Sequence, residues 1–90
     1  MESVLEQKFE KLILKVCDAL NYMYSKEYDE NEKLLEVFDI VKNEIADISN
    51  NREEFFVMFS EMFEKHCNEI VNKDYGFYEG LIVALCGGRL

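Results

Sequence analysis

Residues 30–48 read ENEKLLEVFDIVKNEIADI. Leu34, Phe38, Val41, Ile45 and Ile48 recur at steps of four, three, four and three. That spacing keeps one side of an α-helix apolar and is the seam of a helix bundle. Immediately before it, Asp29 stands three positions ahead of Glu32. This is the capping-box arrangement, in which the first side chain accepts an otherwise unpaired backbone amide and the Glu reaches back. The same signature, Ser3 with Glu6 and Asn51 with Glu54, opens two further helical stretches.

Working outward, residues 4–24 carry the stripe Leu5, Phe9, Leu12, Ile13, Val16, Leu20 and Met23. Residues 52–72 carry Phe55, Phe56, Phe59, Met62, Phe63, Cys67 and Ile70. Both follow helical periodicity. The last stretch, 76–86, is apolar nearly all round: Phe77, Tyr78, Leu81, Ile82, Val83, Ala84, Leu85 and Cys86. A helix of that kind is expected to be covered on all sides, either within the fold or by a second chain. So short an apolar run also fits a strand. Gly76, Gly80 and Ala84 recur every four residues and form a small-residue row. It suits close helix packing inside the fold or a possible dimer seam. The sequence therefore predicts an all-α fold. We expect one domain over 1–90, a compact antiparallel bundle of about four helices, three of roughly twenty residues and a short apolar C-terminal one.

The composition narrows the function. Nineteen acids against ten bases give a net charge of −9. Binding to nucleic-acid phosphates needs clustered Lys and Arg, so direct nucleic-acid binding is not expected, and neither is a polybasic membrane contact. The three cysteines, Cys17, Cys67 and Cys86, lack metal-ligand spacing. They read as buried reduced thiols, which with no visible signal peptide points to the cytoplasm, of a cell or of an infected host cell. His66, the single histidine, falls inside the apolar stripe of the third stretch and reads as a hydrogen-bonded core residue. Adjacent helical side chains diverge by about 100°, which argues against pairing His66 with Cys67, although a thiol from another helix could approach it. A bundle carboxylate–histidine metal site needs more histidines than one, and Asn72 to Gly76 is not a calcium loop. No catalytic constellation is visible. The expectation is a chain that is not an enzyme, with no cofactor and no metal.

The charge is uneven. Residues 26–54 hold ten acids and four bases. On a helical wheel Glu32, Glu36, Asp39, Glu44 and Asp47 lie opposite the seam, with Ile40 projecting among them. A solvated face is one reading. An interface is the other, with Ile40 as an apolar anchor inside a carboxylate rim. Leu14 on the polar side of the first helix and the tyrosines Tyr22, Tyr24 and Tyr28 add weaker signals of the same kind. Spaced carboxylates on a rod can mimic a nucleic-acid backbone and attract a basic groove. In size, acidity and lack of catalytic residues the chain is similar in type to immunity proteins that block nuclease toxins and to phage anti-CRISPR inhibitors. The leading expectation is an inhibitor or decoy that binds a protein partner with a basic surface. The alternative is an adaptor that homodimerises through the C-terminal helix.

A more distant alternative rests on local likeness. Phe9, Ile13, Val16, Cys17, Asp18 and Leu20 resemble the BH3 pattern, with apolar anchors, a small residue and then Asp. The run Gly80 to Gly88 resembles the BH1 segment of the Bcl-2 family, and the order of the two is also that of the family. Such a resemblance implies a helical apoptosis regulator. The chain departs from it at Glu79-Gly80-Leu81, where the family has Trp-Gly-Arg, so the arginine that would pair with the motif's Asp is missing.

Overall fold

A computed structural model describes the backbone of residues 4–48 and 52–86, and the side chains of all of these except 45–48, 52 and 86. Every regular element among them is helical: α1 (Val4–Ser25), α2 (Glu30–Ile48), α3 (Arg52–His66), α4 (Asn68–Lys73) and α5 (Tyr75–Cys86). The apolar C-terminal run is thus a helix, not a strand. The single long helix expected over 52–72 is broken at Cys67, whose φ of −118° and ψ of 33° leave the helical region. The break is local. The Cys67 amide still donates to Phe63 at 2.8 Å, and its carbonyl accepts from Ile70 and Val71 at 3.0 and 3.2 Å.

The turns follow from the sequence. Where α1 ends, the Tyr28 amide donates to the Met23 carbonyl at 3.0 Å and the Glu27 amide to Tyr24 at 3.2 Å. This paired pattern needs a left-handed residue, and Glu27 supplies it with φ of 58°. Asp29 then opens α2, its Oδ1 accepting the Glu32 amide at 2.8 Å, as the capping signature predicts. The corresponding caps Ser3 and Asn51 lie outside the described residues.

The core sits where α1 meets α2, α3 and α5. Phe9, Leu12, Ile13, Val16, Leu20 and Met23 of α1 are buried, as expected. From α3 comes an aromatic ladder. Phe55, Phe59 and Phe63 stand one turn apart, with ring centroids 5.8 and 6.0 Å apart. Phe9 closes one end at 5.3 Å and Tyr78 of α5 the other at 5.3 Å. Offset rings at these separations add to the apolar burial.

Three expectations are corrected. The buried side of α2 is rotated from the predicted seam. Val37 and Val41 are fully buried and Lys33 is buried beside them, while Leu34 and Phe38 are only half-buried. Helix α5 is covered on one side only: Phe77, Tyr78, Leu81 and Leu85 are buried, whereas Tyr75, Gly76, Glu79, Gly80 and Val83 are exposed. Lastly, Cys17 and Cys67 are joined in a disulfide with their Cα atoms 6.1 Å apart, a usual bridging distance. The inference from reduced thiols to a reducing compartment therefore fails. The side chain of Cys86 lies outside the described residues.

Lys33 is buried because one carboxylate receives it. Asp74 is the sole residue between α4 and α5. Its amide closes α4 on Ile70 at 2.8 Å, and its Oδ1 caps α5 by accepting the Phe77 amide at 3.3 Å. Its Oδ2 accepts the Tyr24 hydroxyl of α1 at 2.8 Å and lies 3.8 Å from the Lys33 ammonium of α2. That ammonium also stands 3.9 Å from the Tyr24 ring centre and 5.1 Å from that of Phe77. Such ring contacts stabilise a desolvated cation. Asp74→Ala is expected to cost about 3 kcal/mol, because it leaves a buried ammonium without its counter-charge. Lys33→Met should cost less, since Asp74 remains partly exposed and keeps its cap and its tyrosine. Urea midpoints for the two variants check the order.

The same network sets the alkaline limit. Burial raises the Tyr24 phenol well above its usual value, aided by the bond to Asp74 and by the charges of Asp74 and Glu30. Burial, with a hydrogen bond to Glu64 second, pushes Tyr78 up to about 12. Above about pH 10 the unfolded chain releases phenolic protons that the folded chain keeps, so stability falls as pH rises toward about 12. Below about pH 10 this contribution is intact. Denaturant midpoints measured across this window should fall for the natural chain, and less steeply for Tyr24→Phe.

Candidate functional site

Three surfaces merit description: the outer side of α2, the uncovered side of α5 and a cavity beside the disulfide. Among the described residues no cluster of three or more His, Cys, Asp or Glu could hold a metal ion. No described helix is long and apolar enough to cross a membrane.

On α2 the structure separates the predicted acidic residues into two groups. Glu32, Glu36 and Asp39 are exposed and share the outer side. Glu44 turns toward α1, where its Oε1 meets the Lys15 ammonium at 3.1 Å. Ile40 is half-buried and packs against the core, so it is no anchor projecting from the acidic face. The side chain of Asp47 lies outside the described residues. The apolar residue that does stand on the outer side is Leu35, 67% exposed, at the edge of the arc formed by Asp39, Glu32 and Glu36. The sequence carried a signal for it. Leu35 follows Leu34 and lies about 100° around the helix from it, off the apolar seam.

The charges on this face are not all free. Lys42 lies 3.4 Å from Asp39 one turn away, in a pair that is solvent-exposed on both sides and therefore weak. At the start of α2, Asp29 is held below the usual carboxylate range, chiefly by the hydrogen bond it accepts from the Glu32 backbone. It thus stays ionised at the end of the face where the helix dipole favours negative charge.

On α5, a Cβ added at Gly76 or Gly80 would meet nothing within 4 Å. The small-residue row therefore does not serve close packing inside this chain. Tyr75 and Val83 flank it, 58% and 65% exposed, and Ala84 at its edge is half-buried.

The third feature was not foreseen. A cavity of about 240 Å³ lies between α1 and the α3–α4 joint, lined by Cys17, Asn21, His66, Cys67, Asn68, Glu69 and Ile70. His66 is half-buried, and its Nε2 is buried without a protein hydrogen-bond partner. It is not the hydrogen-bonded core histidine that the helical wheel suggests.

The residues of the BH3-like pattern are accounted for by the core: Phe9, Ile13, Val16 and Leu20 are fully buried and Asp18 is exposed. No protein-family model, curated protein or solved structure matches the chain.

Proposed function

We propose that this protein is a small acidic module without enzymatic activity that binds a basic, nucleic-acid-handling surface on a protein partner, as an inhibitor or decoy. Its scaffold is an antiparallel four-rod bundle if α3 and α4 are taken as one bent rod. The observation that carries the reading is the outer side of α2, where Glu32, Glu36 and Asp39 stand together along one flank of the exposed Leu35. Carboxylates beside an apolar residue supply what such an interface needs. The charges steer a basic partner and set orientation, and the apolar centre resists water once covered. The net charge of −9 extends the attraction beyond contact distance.

The test uses the natural chain and the variant Glu32→Lys/Glu36→Lys/Leu35→Asp, each immobilised and exposed to extract of the source cells. All three positions are exposed, so the fold should be kept, as circular dichroism can check. The natural chain is expected to retain a nucleic-acid-binding protein that is released by high salt and by added duplex DNA. The variant should bind it roughly 100-fold more weakly. Equal retention by both chains, or release by neither salt nor DNA, overturns the proposal.

A second reading is favoured by the uncovered side of α5. Tyr75, Gly76, Gly80 and Val83 form a strip, interrupted by Glu79, with room for a second helix at close approach, which suits a homodimer. In that case sedimentation should show a concentration-dependent dimer, and Val83→Glu should abolish it while leaving the monomer folded. A monomer at millimolar concentration removes this reading.

A further inference from the structure

We propose that the cavity between α1 and the α3–α4 joint is a thiol–disulfide exchange site. In it a small neutral or cationic thiol opens the Cys17–Cys67 bond, and His66 carries the proton.

Four observations meet at this place. Both cysteines of the disulfide line the cavity, so the bond has a route to solvent although the residues themselves are buried. His66 lines the same cavity, and its Nε2 has no protein partner. A buried imidazole nitrogen without a partner is costly to keep, and a proton-transfer role gives it an occupation. The backbone leaves the helical region at Cys67, and His66 and Cys67 on either side of that step both line the cavity. The remaining walls are Asn21, Asn68, Glu69 and the apolar Ile70, which together carry a negative charge but no positive one. At about 240 Å³ the space is below the usual range for drug-sized ligands, and it fits a thiol of a few heavy atoms.

The chemistry balances. The incoming thiol R–SH gives its proton to His66 Nε2 and becomes the thiolate, the species that attacks sulfur. It bonds to Cys17 Sγ, on the more exposed of the two residues. The Sγ–Sγ bond breaks, and its electron pair leaves on Cys67, which takes the proton back from Nε2. The products are the mixed disulfide R–S–S–Cys17 and the Cys67 thiol. A second R–SH then attacks the sulfur of R in the mixed disulfide. R–S–S–R departs and Cys17 is left as a thiol, so the chain is reduced by two electrons and the added thiol oxidised by two. Glu69 and the overall negative charge disfavour an anionic thiol at the mouth.

The test uses the full chain purified without reductant. Alkylation and mass spectrometry should find the Cys17–Cys67 bridge intact. Cysteamine and 3-mercaptopropionate are then added, with rates referred to the thiolate concentration of each. Cysteamine should open the bridge at least about 10-fold faster, and Glu69→Gln should narrow that gap. His66→Gln should slow cysteamine by about 10- to 100-fold near neutral pH. Its rate should follow the thiolate fraction alone between about pH 6 and pH 9, while the natural chain stays faster at the acid end. His66 and Glu69 are the titrating groups of the cavity wall, and α1 contributes only Cys17 and Asn21. Glu69 is exposed, so Glu69→Gln keeps the test valid even if His66→Gln perturbs folding. A chain isolated with Cys17 and Cys67 both free overturns the proposal. So do equal rates for the two thiols, or a His66→Gln variant that folds and exchanges with the natural rate and pH profile.

Discussion

The Asp74 carboxylate is the constraint on which the rest of the molecule depends. It ends one helix, starts the next, and holds a phenol from α1 and an ammonium from α2. No other described polar side chain joins so many elements. Burying Lys33 is costly unless charge and hydrogen bonds receive it. With Asp74 and two aromatic rings in place, it becomes a contact that fixes how α2 is rotated about its own axis. That rotation brings Val37 inward and leaves Leu35 outside. The composition of the outer face of α2 thus follows from an ion pair on the opposite side of the helix.

The molecule also divides its labour. The aromatic ladder from Phe9 through Phe55, Phe59 and Phe63 to Tyr78 is buried, and it ties α1, α3 and α5 into one core. The groups that could carry chemistry lie outside the row of rings. The carboxylates stand on the far side of α2, and the disulfide and His66 lie at the α3–α4 joint.

Much of this was legible in the sequence. The α1 stripe of Phe9, Ile13, Val16 and Leu20 is the core, and Asp29 caps α2, because spacing and capping are local properties. The rotation of α2 was not legible, since it depends on Asp74, forty-one positions from Lys33 along the chain. Nor was the pairing of Cys17 with Cys67, since three cysteines allow more than one partner choice and only packing brings these two together. Helix α5 was misjudged for a different reason. Its composition is apolar all round, yet a helix at the edge of a small domain has neighbours on one side only. Ile40 was placed outside because the wheel drawn from apolar spacing was turned from the side of α2 that packs, on which Lys33, Val37 and Val41 are buried.

The bridge between residues 17 and 67 has a mechanical consequence. It encloses all of α2 and α3 in a covalent ring and leaves most of α1 and the whole of α4 and α5 as tails. A force applied at the two ends crosses the bridge and bypasses the ring. Only the tails can be drawn out, and the extensible length of the chain is less than half of its contour. A protease that cuts once inside the ring releases no fragment, whereas a cut in either tail does. While the bridge is closed the ring behaves as a clasped loop, and when it opens the whole contour becomes available to pulling and to degradation.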